Sequence, residues 1–128
     1  MKQLRIRYIT PDDAKLLIEW INNTPNNLYD SDVLNYPTLK VLCAYGDRTI
    51  AYLPMQQTLF LESLAVNQEA SITEKAQAFR DLVKGAEVHA SSLLIKEIYF
   101  ACKDENVLAI AEHHGFERLP WPIVRMKL

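Results

Sequence analysis

The stretch of residues 58–76, TLFLESLAVNQEASITEKA, contains the change of pattern that decides the fold. Its first nine residues, 58–66, form an apolar run that predicts a strand. Ser71 and Glu74 have the spacing of a capping box, in which each side chain bonds the backbone N–H of the other residue. From there apolar residues recur with a period of 3.6, at Ile72, Ala76, Phe79, Leu82, Val83 and Ala86. The stretch therefore predicts a strand that leads through a short loop into a long amphipathic helix.

Other strands are predicted on both sides of this unit. LRIRYI (4–9) alternates apolar and polar residues, and LKVLCAY (39–45) and TIAYLPM (49–55) are joined by the hairpin signal GDR. We expect the strand at 58–66 to pair beside these two, which gives an antiparallel meander. IKEIYFAC and IVRMKL predict two later strands, at 95–102 and 123–128.

Helix signals complete the order of elements. Thr10 is a predicted N-cap followed by Pro11 at the first helical position, and ENVLAIAEH (105–113) predicts a helix that Gly115 terminates. The order predicts an α+β chain that forms one domain over residues 1–128. We expect a mixed central sheet with an antiparallel meander, a βα crossover and helices on both faces. A ligand crevice should open beside the N-terminus of the crossover helix.

Composition excludes several classes of function. The net charge is −2, and the 14 Lys and Arg residues are scattered among 16 Asp and Glu residues, so nucleic acid and anionic membranes are not expected partners. No apolar run reaches the roughly 20 residues of a membrane span, and a cytoplasmic location is expected. Cys43 and Cys102 have no metal-ligand spacing, and the adjacent His113 and His114 point about 100° apart on a helix. No metal site is predicted.

The order of elements resembles the GNAT N-acetyltransferases over essentially the whole chain. The resemblance rests on RIRYITPDDAKLLIEWI near the start, SLAV at the end of the strand, and DENVLAIAEHHGFERL near the end. In that family a loop of the type V-x-P-x-x-R/Q-G-x-G-x-G/A follows this strand, and its backbone N–H groups hold the pyrophosphate of acetyl-CoA. The resemblance implies transfer of an acetyl group from acetyl-CoA to a primary amine on a small molecule or a protein.

The loop departs from the family pattern. Ile72 and Glu74 stand at the two glycines, and a closed capping box would use N–H groups that a pyrophosphate needs. Lys75 offsets part of the added negative charge. The resemblance implies that acetyl-CoA contacts the backbone of the strand end and the start of the helix, together with the residue at the family's Asn position. These residues are Leu64, Ala65, Val66, Ser71, Lys75, Ala76 and Asp104.

The candidate catalytic residues come from two strands. Glu62 is in phase with Phe60 and Leu64, and a partly buried carboxylate there would act as a general base. The family's general-acid tyrosine is replaced by Ala111, so Tyr99 is the candidate acid, with Tyr45 and Tyr52 as weaker candidates. Asp30, Asp32 and Asp47 either favour a cationic acceptor or are solvated turn residues.

A second function belongs to another class. The chain is also similar to short GNAT-like proteins of tailed phages, some of them virion-associated, at Ser71, Lys75, Ala76, Phe79, Arg80 and Leu82. This resemblance implies a GNAT-fold binding or structural module that transfers nothing. Trp121, between two prolines, is expected to be a packing residue or a homodimer contact.

Overall fold

The computed structural model describes residues 3–24, 31–120 and 122–128, and it shows a mixed α/β arrangement. Asp30 and Trp121 lie outside the described residues. Short 3₁₀ helices occupy Pro11–Asp13 and Ser31–Asn35. The principal elements are β1 (Arg5–Tyr8), α1 (Ala14–Asn23), β2 (Lys40–Tyr45), β3 (Thr49–Met55), β4 (Leu59–Leu61), α2 (Ile72–Ser92), β5 (Ile98–Phe100) and α3 (Glu105–His113).

An antiparallel sheet forms from β1, β2 and β3 in that order. The predicted hairpin between β2 and β3 is confirmed. One face of the sheet packs on α1, where Leu17, Ile21 and Val41 form a buried cluster. The burial of α1 follows its 3.6-residue period, because Leu17 and Ile21 are one turn apart.

The expected pairing of the fourth strand beside the hairpin is wrong. β4 pairs only with β5, so the antiparallel and parallel parts form two separate sheets among the described residues. Pro54 in β3 offers a physical reason. It lies opposite Val41, whose carbonyl accepts the Ile9 N–H on the β1 side, so the backbone of Pro54 faces the outer edge of β3. A proline has no N–H to donate to a further strand at that edge.

The predicted crossover is confirmed. β4 and β5 are parallel, with Phe60 opposite Tyr99, and α2 connects them. Both strands are shorter than predicted, since β4 ends at Leu61 rather than residue 66 and β5 spans three residues. The carboxyl end of β4 therefore leads into ten irregular residues before α2 begins.

The second buried cluster lies between α2, β5 and α3. Phe79, Val83 and Ala111 are buried, with Phe100 and Phe116 packed against them. Ile72 and Leu82 were predicted to belong to the apolar face of α2, but their side chains are 88% and 57% exposed.

The last predicted strand is wrong. The chain from 122 to 128 is irregular. The side chains of the consecutive residues Ile123 and Val124 are 63% and 93% exposed, so neither side of this segment is buried there. Pro120 and Pro122 remove two backbone donors at its start, and no described strand lies alongside. No helix among the described residues is long and apolar enough to cross a membrane.

Candidate functional site

An open cleft of about 1420 Å³ lies beside β5. Its walls come from the 3₁₀ helix at 31–35, the middle of α2, β5, and the end of α3 with the residues that follow it. Gly115 shapes that last wall. Its φ of +96° and the bond from the Phe116 N–H to the Ala111 carbonyl, 3.1 Å, terminate α3 in a Schellman motif. The predicted role of Gly115 is therefore confirmed.

Of the predicted catalytic and cofactor-binding residues, all of which the structure describes, Tyr99 alone lines this cleft. It is half-buried on β5, and its hydroxyl donates a hydrogen bond of 2.9 Å to Oε1 of Glu97. Burial and this bond raise the pKa of Tyr99 to about 12, which a hydrogen bond with the Gln56 side chain partly offsets. The hydroxyl is therefore protonated at neutral pH and can act as a donor or a general acid.

Glu97 and Gln56 were not identified from the sequence, although both line the cleft. Glu97 is half-buried, and Oε1 of Gln56 is a buried oxygen without a hydrogen-bond partner in the described part of the chain. The signal for Glu97 was present, because it stands two residues before Tyr99 and alternate residues of a strand share a face. Gln56 has no comparable signal, since it follows the end of β3 in an irregular segment.

Glu62 lies one residue past the end of β4 and is exposed. The expectation of a partly buried carboxylate on a strand is therefore wrong, because the ladder with β5 ends at Leu61. Glu62 is not among the described residues that line the cleft. Its role as a general base stays a prediction.

Leu64, Ala65 and Val66 are also exposed and irregular, where a strand was expected. Their backbone N–H groups lie beyond the β4–β5 ladder, so the sheet does not hold them in place. Contact between these N–H groups and a thioester carbonyl stays a prediction.

The N-terminus of α2 is closed by its own side chains, as predicted. The Ser71 N–H donates to the Glu74 carboxylate at 2.9 Å, and the Glu74 N–H donates to Ser71 Oγ at 3.1 Å. The backbone and side-chain bonds with Ser71 lower the pKa of Glu74. Asn67 uses two further loop donors, since its side chain accepts the Glu69 N–H at 2.9 Å and its carbonyl accepts the Ala70 N–H at 3.1 Å.

This arrangement allows only a partial fit for a pyrophosphate. In the first turn of α2, the N–H groups of Ile72 and Thr73 donate no hydrogen bond to any described residue, so they are free to bind a ligand. Lys75 is half-buried one turn into the helix and supplies a nearby positive charge, whereas Ala76 is exposed. The Glu74 carboxylate stands at the same turn and repels an anion.

Asp104 caps α3. Its carboxylate accepts the Asn106 N–H at 2.8 Å and the Val107 N–H at 3.4 Å, so its oxygen is engaged by the helix. Asp104 and the candidates from β4 and α2 do not line the cleft that contains Tyr99, among the described residues.

A further polar cluster centres on Asp13, which the sequence presented only as a first-turn acid. The buried Asp13 carboxylate accepts bonds from Arg7 at 2.8 and 3.1 Å, from the Thr10 N–H at 2.8 Å and from the Tyr52 hydroxyl at 2.8 Å. These bonds, first of all that from Arg7, hold the pKa of Asp13 well below its usual range. Burial and the bond to Asp13 raise the pKa of Tyr52 to about 12. The Tyr52 hydroxyl is therefore hydrogen-bonded within this cluster. The Tyr45 ring stacks against Arg7, whose Cζ lies 5.3 Å from the ring centroid.

No group of three His, Cys, Asp or Glu residues is placed to hold a metal ion in residues 3–24, 31–120 and 122–128. His114 instead lies at the end of α3, with its ring centroid 5.5 Å from that of Phe79.

The acidic residues named as acceptor-site candidates lie in different places. Asp32 lines the cleft, whereas Asp47 lies in the exposed hairpin turn.

No protein-family model and no curated protein sequence matches this chain. Similar solved structures include the aminoglycoside 6'-N-acetyltransferase AAC(6')-Ih from Acinetobacter baumannii, with 18% identity and a TM-score of 0.42 over 98% of this chain and 99% of that one. A predicted acetyltransferase with acetyl-CoA from Clostridium acetobutylicum has 14% identity and a TM-score of 0.42 over 96% of each chain. A ribosomal-protein-alanine N-acetyltransferase from Brucella melitensis biovar Abortus 2308 has 12% identity and a TM-score of 0.39 over 98% of this chain and 100% of that one. At these identities and TM-scores the likeness assigns neither a family nor an activity to the chain.

Proposed function

We propose that the protein is an N-acyltransferase of the GNAT type that moves an acetyl group from acetyl-CoA to a primary amine. The observation that carries the proposal is the parallel β4–α2–β5 unit, in which Tyr99 on β5 is hydrogen-bonded to Glu97, the residue just before β5. A helix N-terminus that follows the carboxyl end of a strand is the position at which α/β proteins bind anionic ligands. The cleft beside β5 contains a protonated hydroxyl and a carboxylate for proton transfer.

The N–H groups of Ile72 and Thr73, with the Lys75 ammonium, would hold the phosphates of acetyl-CoA. When bound, acetyl-CoA supplies an activated acetyl group and a thiolate leaving group. Backbone N–H groups of Leu64, Ala65 and Val66 would support the developing negative charge on the carbonyl oxygen, an interaction worth a few kcal/mol in a dry site. Tyr99 holds a proton that it can donate within the cleft.

Calorimetric titration with acetyl-CoA tests the binding step. Because Asn67, Ser71 and Glu74 accept the backbone N–H groups of Glu69, Ala70, Ser71 and Glu74, we expect a Kd of about 0.1 mM or weaker. Glu74→Gln keeps an oxygen for the Ser71 N–H but removes the like charge, so it should strengthen binding several-fold. Glu19→Gln removes an exposed charge from α1 and should leave the Kd unchanged.

Thiol release from acetyl-CoA tests the transfer. The amines spermidine, lysine and a lysine-containing peptide would each be supplied with 1 mM acetyl-CoA, a concentration of about ten times a Kd of 0.1 mM. Amine-dependent release would support the proposal. Saturable acetyl-CoA binding without release for any of these amines would contradict it.

A binding module that transfers nothing is the second candidate, and the closed loop at Asn67, Ser71 and Glu74 favours it. In that case neither the wild type nor Glu74→Gln binds acetyl-CoA. A gene neighbourhood of capsid and tail genes would support the module and a phage origin.

A further inference from the structure

The cleft beside β5 has an excess of carboxylates over cationic groups. One arginine, Arg118, lines it, and its guanidinium is engaged by Glu112 at 2.6 Å and Glu105 at 2.8 Å. The acidic residues that line the cleft are Asp32, Glu87, Glu97, Glu112 and Glu117. Carboxylates that line a concave surface raise the local concentration of cations.

Glu97 is the best positioned of these carboxylates. Its Oε1 is fixed by the Tyr99 hydroxyl at 2.9 Å, and its backbone carbonyl accepts the Leu59 N–H at 3.3 Å. The first bond orients the side chain and the second holds the backbone of Glu97 just before β5. Glu97 is half-buried, whereas Glu87 and Glu112 are exposed. A carboxylate that is partly removed from water and held in one orientation binds a cation more strongly than a freely solvated one.

A second acceptor lies in the same cluster. Gln56 lines the cleft together with Tyr99 and Glu97, and its buried carbonyl oxygen has no hydrogen-bond partner within the described residues. An unpaired buried acceptor costs free energy until a donor reaches it. A protonated amine carries several N–H donors and is therefore complementary to this cluster.

We propose that Glu97 binds the ammonium group of the acceptor amine and takes its proton, an inference that rests on the proposed acyl transfer. One ammonium N–H donates to the Glu97 carboxylate, and the proton passes from nitrogen to oxygen. The nitrogen is left with the lone pair that attack on a carbonyl requires, and the carboxylate becomes neutral. Tyr99 is a positioning residue in this step, because its hydroxyl orients Glu97. Glu97 is half-buried, as the carboxylate of a general base was expected to be, whereas Glu62 is exposed.

Calorimetric titration with spermidine at low salt tests the inference without an acyl donor. We expect Glu97→Gln to weaken spermidine binding by about fivefold or more, since a charge-assisted bond in a partly buried site is lost. Glu87→Gln removes the same charge from the same cleft, and Glu19→Gln removes it from the exposed face of α1, outside the described lining of the cleft. Both controls should change the Kd by less than about twofold, as is usual for exposed charges.

Equal weakening by Glu97→Gln and Glu87→Gln would overturn the inference, because net charge alone would then explain binding. Undetectable spermidine binding by the wild type would also overturn it. Far-UV circular dichroism checks that Glu97→Gln folds. Tyr99→Phe, which retains the carboxylate but loses its orientation, should show an intermediate loss of affinity.

Thiol release from acetyl-CoA with spermidine separates this inference from the proposed function. Release that Glu97→Gln leaves unchanged would overturn the inference and retain the transferase. Glu97-dependent spermidine binding without thiol release would support the amine site and contradict the transfer.

Discussion

Replacement of Asp13 by alanine tests the most highly connected polar group that the structure describes. The carboxylate joins three segments, since Arg7 comes from β1, Thr10 precedes the first helical turn and Tyr52 comes from β3. Asp13 is 8% exposed. Asp13→Ala therefore removes an acceptor from the Tyr52 hydroxyl and from the Thr10 N–H at once.

The magnitude follows from these bonds. Loss of the N-terminal acceptor for Thr10 costs about 1 kcal/mol, and loss of the partner of the half-buried Tyr52 hydroxyl costs about 1 kcal/mol more. The Arg7 side chain is partly exposed, so water can replace the carboxylate as its hydrogen-bond partner. Loss of the Arg7–Asp13 ion pair therefore adds nothing to the expected loss of unfolding free energy. The expected loss is about 2 kcal/mol, which corresponds to a fall in Tm of about 8 °C for a domain of this size.

Urea unfolding of wild type, Asp13→Ala, Tyr52→Phe and the double variant provides the assay. The double-mutant cycle should give a coupling of about 1 kcal/mol between Asp13 and Tyr52. Asp12→Ala removes the neighbouring exposed carboxylate and should change the free energy of unfolding by less than about 0.5 kcal/mol. Equal midpoints for Asp13→Ala and Asp12→Ala would refute the assignment of Asp13 as a structural centre.

Three other predictions concern pH and helix termination. Because the folded-state pKa of Asp13 is lowered, its stabilisation is complete above the unfolded pKa of about 3.9 and is lost as pH falls below it; the difference in unfolding free energy between wild type and Asp13→Ala should shrink from pH 5 to pH 2, and a constant difference would exclude this linkage. The pKa values of Tyr52 and Tyr99 are raised to about 12, so the stabilisation that the two hydroxyls provide is complete below about pH 10 and is lost as pH rises through 12. Tyrosinate absorbance in a pH titration should therefore show a phase near pH 12 whose amplitude Tyr99→Phe reduces. An unchanged amplitude in Tyr99→Phe would contradict the raised pKa of Tyr99. Leu94 has a φ of +60° after α2, so Leu94→Gly should raise stability by about 0.5 kcal/mol, whereas Gly115→Ala at φ +96° should lower it by about 1 kcal/mol; thermal unfolding checks both, and stabilisation by Gly115→Ala would disprove the strain argument.

Sequence patterns predicted the local structure well where the interacting groups are close in the chain. The Ser71–Glu74 capping box, the termination of α3 by Gly115 and the β2–β3 hairpin were each predicted and are present. Each depends on hydrogen bonds between residues a few positions apart, or on one short turn. Such interactions are encoded by residue type and spacing alone.

The site was predicted less well because it depends on where strands end and which edges pair. Glu62 was expected on a strand, but the ladder ends one residue earlier, and this leaves the carboxylate in water. Tyr99 was predicted because Ala111 stands where the family has its tyrosine. Glu97, whose carboxylate accepts the Tyr99 hydroxyl, was not predicted. The cleft also contains groups from distant segments, such as Asp32 and Gln56, which no local pattern joins.

The sequence by itself determined the order of strands and helices from β1 to α3, the start of α2, the termination of α3, and the closure of the loop before α2 by its own side chains. Only the tertiary structure decided that β4 pairs with β5 and with no other described strand, that Asp13 bonds both Arg7 and the Tyr52 hydroxyl 39 positions away, and that Glu97 shares a cleft with Tyr99. The physical reason is range. Capping and turn bonds form within one turn of chain, whereas strand pairing, burial and the charge around a carboxylate are set by residues far apart in sequence.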